Sequence, residues 1–321
     1  MINVDNSKIF NKVLNGVRGK LTFNKLIKPI TWLRVGGEAE LFFQPYDLDD
    51  LCDFLHRLPM SVSVFPIGVC SNLLVGDYGV GGVIVRLGRE FSKISCQEEF
   101  ITAGAGLLDS KVADYAASNG VDLSFLKTIP GTIGGAIKMN AGCYGTCIAD
   151  VFECAEVVLR SGEIQTLSRT ELNFSYRQSE LPAEAIVTKV TLKGSKNSPE
   201  NIKNIMRKNQ ERRVLSQPIR QKTGGSTFKN PSKGHICDGK VYKAWQLIDK
   251  ASLRGKIIGG AQVSDLHSNF LVNIGSATAK DFESLGSLIQ KAVFSESGVK
   301  LEWEIKKIGI FKNSESGYSS K

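Results

Sequence analysis

The stretch that most constrains this chain is Ile129-Pro130-Gly131-Thr132-Ile133-Gly134-Gly135-Ala136-Ile137-Lys138-Met139-Asn140-Ala141-Gly142-Cys143-Tyr144-Gly145. It holds five glycines and one proline, and Lys138 is its only charged residue. Glycine admits positive φ and lets bare backbone approach a neighbour closely. A solvated loop of this length normally carries more Asp, Ser and Lys. Either this backbone packs against another part of the protein, or its N–H groups face a ligand. The second is the working expectation, and the rest of the chain must then supply the ligand.

Whole-chain properties narrow the choice. At 321 residues the chain can build two or three domains with real cores. Its 42% hydrophobic and 23% charged content is ordinary for a soluble globular protein. The seven cysteines are dispersed, odd in number and without a Cys-x-x-Cys pair, which argues against a disulfide framework or a zinc ribbon. Reduced thiols in a cytoplasmic protein fit better. With three histidines, a metal site is not expected, and His235 with Cys237 reads as chance neighbours in a polar loop. Residues 1–12 lack an apolar h-region, and no run is long enough to span a bilayer, so neither a signal peptide nor a membrane partner is expected. The net charge of +9 suits nucleic acid or an anionic small molecule. Its lysines are scattered rather than striped with aromatics, so no nucleic-acid partner is expected.

Taken in order, residues 1–28 read as a helical or irregular lead-in. An apolar strand follows at Ala39–Phe43, then a helix capped by Asp47, with Leu48, Leu51, Phe54, Leu55 and Leu58 at helical spacing. Strands at Val62–Pro66 and Val83–Leu87 complete a small α/β unit. A second block has a strand at Phe100–Ala103, a helix ended by Gly120, a hairpin around Ser161-Gly162, and a short helix boxed by Ser168 and Glu171. Ser198-Pro199-Glu200 opens a long helix, cap and N1 proline together. The third block holds Gly224-Gly225-Ser226, a polar insertion at 232–243, and helices around Trp245–Lys250 and behind Thr278. Strict alternation over Val299–Lys306 predicts a closing strand with Glu302, Glu304 and Lys306 on its polar face.

No G-x-G-x-x-G opens a helix after a strand, and no G-x-x-x-x-G-K-[ST] occurs, so neither a Rossmann site nor a P-loop is supported. Yet glycine- and amide-rich segments at 68–72 and 131–145 both follow strands. Together they offer a nest of backbone N–H groups for a pyrophosphate. The plainer alternative is a pair of tight turns packed on each other.

Six motifs, in order, carry a resemblance. They are Thr31-Trp32-Leu33-Arg34-Val35-Gly36-Gly37; Gly68-Val69-Cys70-Ser71-Asn72-Leu73-Leu74-Val75; Ile129 to Gly135 with Met139-Asn140-Ala141-Gly142; Ser175-Tyr176-Arg177-Gln178-Ser179; Gly225 to Pro231; and Glu302 to Gly309. Across nearly the whole chain this resembles the UDP-N-acetylenolpyruvoylglucosamine reductases. The short passage from Ser179 into the Ala185 strand is similar to the lidless branch of that family.

The resemblance implies an α+β protein. Two α/β FAD-binding subdomains of the vanillyl-alcohol-oxidase-like (PCMH-type) fold would span 1–90 and 91–213. An α+β substrate-binding domain would span 214–304, with the tail 305–321 returning to the first subdomain. It implies non-covalent FAD, NADPH as hydride donor, and reduction of UDP-N-acetylglucosamine enolpyruvate to UDP-N-acetylmuramate for peptidoglycan, by a monomer. FAD would be held by Gly68, Ser71, Asn72, Leu73, Gly131, Thr132, Ile133, Gly134, Gly135, Asn140 and Gly142. The family's catalytic trio falls on Arg177, Ser226 and Glu304. Lys229, Asn230 and Arg213 would meet the substrate.

Residue chemistry agrees with these roles. Hydride addition to an enol ether drives negative charge onto its carboxylate, where a planar guanidinium fork is well matched. The adjacent carbon then needs a positioned proton donor, the part implied for Ser226. A glutamate beside a carboxylate requires a proton or a raised pKa. By pattern alone, Arg177 and Glu304 would be solvated and Ser226 a turn residue. A flavin oxidase of the same fold would leave Ser226 and Glu304 idle. Three departures stand out. Cys70 replaces the family's usual glycine, Lys127 sets a charge before the proline-glycine turn, and the 232–243 insertion is longer than expected.

Overall fold

The computed structural model describes residues 13, 15–231, 236–237 and 240–311. His235, the side chain of Cys237 and most of the 232–243 insertion lie outside the described residues. The principal elements begin with β1 (Lys20–Leu26), β2 (Glu38–Gln44), α1 (Leu48–Arg57), β3 (Val64–Ile67), β4 (Leu73–Val75) and β5 (Val80–Arg86). Next come β6 (Ile94–Gln97), β7 (Phe100–Gly104), α2 (Asp109–Ser118), α3 (Ile133–Lys138), β8 (Phe152–Val158), β9 (Ile164–Ser168) and β10 (Ile186–Lys193). The chain continues through α4 (Pro199–Ser216), β11 (Lys222–Ser226), α5 (Ala244–Lys250), β12 (Ile257–Ile258), β13 (Ala261–Val263), β14 (Phe270–Asn273), α6 (Ala279–Ser297) and β15 (Lys306–Ile308).

The chain divides into two compact units, one of 1–25, 40–68 and 82–212, the other of 26–39, 69–81 and 213–321. In the first unit a four-stranded sheet runs in the order β1-β2-β5-β3, with β3 and β5 parallel, and α1 packs its apolar stripe here. Phe43 and Phe54 meet with ring centroids 4.1 Å apart. The Asp47 cap forms as its sequence predicts, accepting the Asp50 N–H at 2.9 Å. A second, antiparallel sheet runs β9-β8-β10-β7-β6. It is covered by α2, whose Ala113, Ala116 and Ala117 are fully buried against Ile101, Val190 and Leu192. Alanines there let the helix lie close to the sheet.

The buried Arg160 holds part of this unit together. Its Nη1 donates to the Leu55 and Leu58 carbonyls, and its Nη2 to those of Pro59 and Val62, so it caps the end of α1. Nε lies 3.2 Å from Glu184 Oε2 as an ion pair, without the alignment of a full hydrogen bond. Replacing Arg160 by leucine would leave four carbonyls without this donor and Glu184 without its cation. We expect a loss of about 2–4 kcal/mol in urea unfolding. A loss below about 1 kcal/mol would show that water replaces the guanidinium freely.

In the second unit an antiparallel sheet runs β11-β14-β13-β12, with α5 and α6 packed through Leu247, Ile248, Phe282, Leu285 and Ile289. The predicted Thr278–Asp281 box caps α6, and Gly298 at φ 69° ends it. β15 pairs in parallel with β4.

Three expectations change. The lead-in contains β1, an edge strand without a buried face; Phe23 and Leu26 are both exposed, so no alternation betrayed it. The stretch 129–145 contains the short helix α3 and a tight hairpin (142–147) rather than a single loop. Finally, 299–306 is not a continuous strand and bends at Ile305. Val299, Leu301 and Ile305 are buried as the alternation requires. The ladder itself is limited to a bridge at Trp303 and the pairing of β15.

Candidate active site

The residues singled out by sequence form two groups, one in each unit. In the first unit the glycine-rich turn lies antiparallel to the residues between β7 and α2. Asp109 N–H donates to the Gly131 carbonyl at 3.1 Å, Ile133 N–H to Leu107 at 3.0 Å and Gly134 N–H to Ala105 at 2.9 Å. These amides of the turn are therefore engaged with protein, which narrows the opening expectation. The bare backbone serves both purposes, packing on one side and leaving the other side unobstructed. Gly134 packs closely, since an added Cβ would sit 3.2 Å from Ala105 Cβ. At Gly135 an added Cβ would find nothing nearer than 3.7 Å. Gly68 belongs to the same group, because an added Cβ there would come 2.3 Å from Thr132 Oγ1.

Arg177 is brought to this turn by an anchored loop. Ser175 and Gln178 exchange backbone hydrogen bonds, N–H of each to the carbonyl of the other, at 3.0 and 3.2 Å. Arg177 at the tip of that turn has φ 58°, a left-handed conformation costly for a side-chain-bearing residue. Asn140 Nδ2 donates to the Ser175 carbonyl at 2.9 Å, and Ser179 Oγ to the Lys138 carbonyl at 3.2 Å. Arg177 Nη2 itself reaches the Gly142 carbonyl at 3.2 Å, and the guanidinium lies 5.0 Å from the Tyr176 ring centroid. Strain of this kind persists where surrounding contacts over-determine it, often at functional positions.

In the second unit, Ser226 ends β11 after a register irregularity at Gly224-Gly225, with Gly225 at φ 82°. A bulge there re-aims the strand end. The following residues are held from both sides. Thr227 N–H donates to the Asn269 carbonyl at 2.7 Å, while Glu304 N–H donates to the Thr227 carbonyl at 2.8 Å. Lys229 N–H donates to the Glu302 carbonyl at 2.9 Å, and Lys229 Nζ lies 3.3 Å from Glu302 Oε2. Ser226, Lys229 and Glu304 thus share neighbouring extended segments. Asn72 joins them, donating from Nδ2 to the Glu304 carbonyl at 3.3 Å and accepting from Lys306 N–H at 3.0 Å. Ser71 immediately precedes Asn72, and Leu73 pairs with Lys306 across β4 and β15. Asn230 Oδ1 accepts the Ala244 N–H at 3.1 Å, so that side chain secures the start of α5. Arg213 lies in the last turn of α4, half-buried.

The departures resolve physically. Cys70 keeps the left-handed backbone at φ 56° while buried, so the turn shape survives without glycine. Lys127 is paired with Asp114 at 2.7 and 2.8 Å and is not a charge available to a pyrophosphate. Two residues were missed. Lys306 keeps exposed surface, yet packing around its amine and then the Lys229 ammonium push it below the usual lysine range. Its place on the polar face of the 299–306 alternation was the available signal. Asp109, buried beneath Gly131, gave no signal in the sequence.

An uncharged glycine turn packed at Thr132 by Gly68, with bare and exposed backbone kept at Gly135, fits a flat cofactor lying against the main chain. Among the described residues no cluster of His, Cys, Asp and Glu could hold a metal ion, and no helix is long and apolar enough to cross a membrane.

Comparison with known proteins agrees. Residues 39–168 match the model of an FAD binding domain, and residues 217–308 match UDP-N-acetylenolpyruvoylglucosamine reductase, C-terminal domain. The chain is 51% identical to the UDP-N-acetylenolpyruvoylglucosamine reductase of Ruegeria pomeroyi over 92% of this chain and 97% of that protein. With the enzyme named likewise in Jannaschia sp. it shares 49% identity over 91% and 96% of the two chains. The crystal structure of the Thermus caldophilus reductase superposes with a TM-score of 0.76 at 33% identity, covering 91% of this chain and 99% of that one. The α+β, PCMH-type expectation for the fold therefore holds, and the protein is an FAD-dependent oxidoreductase. The chain belongs to the UDP-N-acetylenolpyruvoylglucosamine reductase family.

Proposed function

We propose that this enzyme uses NADPH to reduce UDP-N-acetylglucosamine enolpyruvate to UDP-N-acetylmuramate, the sugar precursor of the peptidoglycan stem, as a cytoplasmic monomer. The observation that carries this reading is the Ser226–Glu304 arrangement. A proton-donor candidate and a carboxylate lie on neighbouring hydrogen-bonded segments, joined through Thr227. An oxidase would have no use for that pair.

When bound, FAD would supply hydride chemistry at the enol ether, with NADPH as the donor. The chain's own residues do the rest. Gly68, Gly131 to Gly135, Asn140 and Gly142 would hold the cofactor, with Ser71, Asn72 and Leu73. Arg177 meets the substrate carboxylate with a fixed positive fork as negative charge builds there. Ser226 Oγ holds the proton that the adjacent carbon takes up. Glu304 works with Arg177 at the carboxylate, which requires that it carry or share a proton. Lys229, Asn230 and Arg213 serve the uridine diphosphate or the sugar, and the positive net charge favours both anionic reactants. In domain terms, 1–90 and 91–213 would carry FAD and 214–304 the substrate.

The test is a colour cycle. Purified enzyme should be yellow, bleach under anaerobic NADPH, and recover colour on adding the enolpyruvyl substrate without oxygen. Recovery by oxygen alone, with the substrate inert, would replace this reading by an oxidase.

A further inference from the structure

Asp109 opens α2 and is completely buried. Among the described residues neither carboxyl oxygen has a hydrogen-bond partner. Such burial is unfavourable for a carboxyl and calls for an explanation at the position it occupies. That position is the underside of the glycine turn. Segments 105–109 and 131–134 are zipped by three backbone hydrogen bonds, with Leu108 bridging Thr132. The carboxyl sits at the end of the zipper, where a Cβ on Gly131 would lie 2.7 Å from Asp109 Oδ2. The Gly131 N–H is the donor facing it, short of full hydrogen-bond alignment.

We propose that Asp109 is a positioning residue for the cofactor turn, its carboxyl filling the space beneath Gly131 and setting the height of the 130–132 backbone against FAD. The proposal rests on the reading that this turn lines the cofactor site. Desolvation raises the Asp109 carboxyl well above the usual carboxylate range. Burial thus favours its uncharged form, the form that adds no repulsion beneath an anionic diphosphate.

The experiment titrates FAD into apoprotein by flavin fluorescence and records the unfolding midpoint of each apoprotein. The variants are Asp109→Asn, Asp109→Ala, Gly131→Ala and the Asp109→Ala/Gly131→Ala double. Asparagine, neutral and of equal size, should bind FAD within about threefold of wild type, whereas Asp109→Ala should lose about tenfold or more. Gly131→Ala should lose about tenfold alone but under about threefold more in the Asp109→Ala background, because the added Cβ no longer meets Oδ2. A merely structural role would lower the unfolding midpoint and leave FAD affinity of the folded protein intact. Wild-type affinity in Asp109→Ala, with weak binding in Gly131→Ala, overturns the proposal but keeps the turn as the cradle. Wild-type affinity in both overturns the cradle reading and the proposal together. Should Asp109→Ala not fold, Asp109→Asn decides. Retained affinity beside a loss in Gly131→Ala supports the proposal, and a tenfold loss in the asparagine variant overturns it.

Discussion

Ser226→Ala is expected to bleach normally with NADPH and then stall. Cofactor reduction does not need the hydroxyl, whereas delivery of a proton to the substrate carbon does. Loss of a positioned proton donor typically costs about 10²–10⁴-fold, so reoxidation of the reduced enzyme by substrate should slow by that range in anaerobic stopped flow. The fold should tolerate the change. Ser226 is half-buried at the end of β11, and the next residues are fixed by backbone hydrogen bonds of Thr227 to Asn269 and Glu304 and by the Asn269 side chain at Phe228, none of which uses the Ser226 hydroxyl. Ser226→Cys adds a useful comparison, because a thiol with an unperturbed pKa near about 8.5 is a far better acid than an alcohol. If a proton is what Ser226 contributes, cysteine should recover part of the rate that alanine loses. Normal reoxidation in the alanine variant would remove Ser226 from the chemistry.

How the site was legible is informative. Helix caps at Asp47, Ser168, Ser198 and Thr278 were readable because side-chain capping is local and its residue types are few. The proposal of Arg177, Ser226 and Glu304 came from the family resemblance of the ordered motifs, and spacing alone could not have made it. Arg177 and Glu304 sit in patterns that equally suit solvated surface. What raises them in the structure is non-local: the Asn140 and Ser179 anchors under the Arg177 turn, and the Thr227 link beside Glu304. Asp109 shows the opposite limit. In sequence it is an ordinary acidic residue in the first turn of a helix, where carboxylates are common. Only the fold reveals that it is fully buried under Gly131. Edge strand β1 was hidden for a related reason, since it pairs through backbone without burying a face.

Arg177→Lys is expected to be nearly as damaging as removing the side chain. Both residues are cationic, so a site that needed only positive charge would accept lysine. The geometry argues for more. The guanidinium already spends Nη2 on the Gly142 carbonyl at 3.2 Å, which anchors one end of the fork. A planar fork can hold that anchor and still present donors to a carboxylate, whereas an ammonium is a point charge on a flexible stem. The left-handed backbone at φ 58° is strained for either residue, so the substitution leaves that cost unchanged and isolates the head group. Removing one preorganised donor to a developing anion costs about 10²–10³-fold. We therefore expect kcat/KM for the enolpyruvyl substrate to fall by about two orders of magnitude or more in Arg177→Lys, with bleaching by NADPH and the unfolding midpoint near wild type. Arg177→Ala should fall at least as far. A lysine variant within about threefold of wild type would show that charge suffices, and the fork and its Gly142 anchor would then be structural features without a part in transition-state stabilisation.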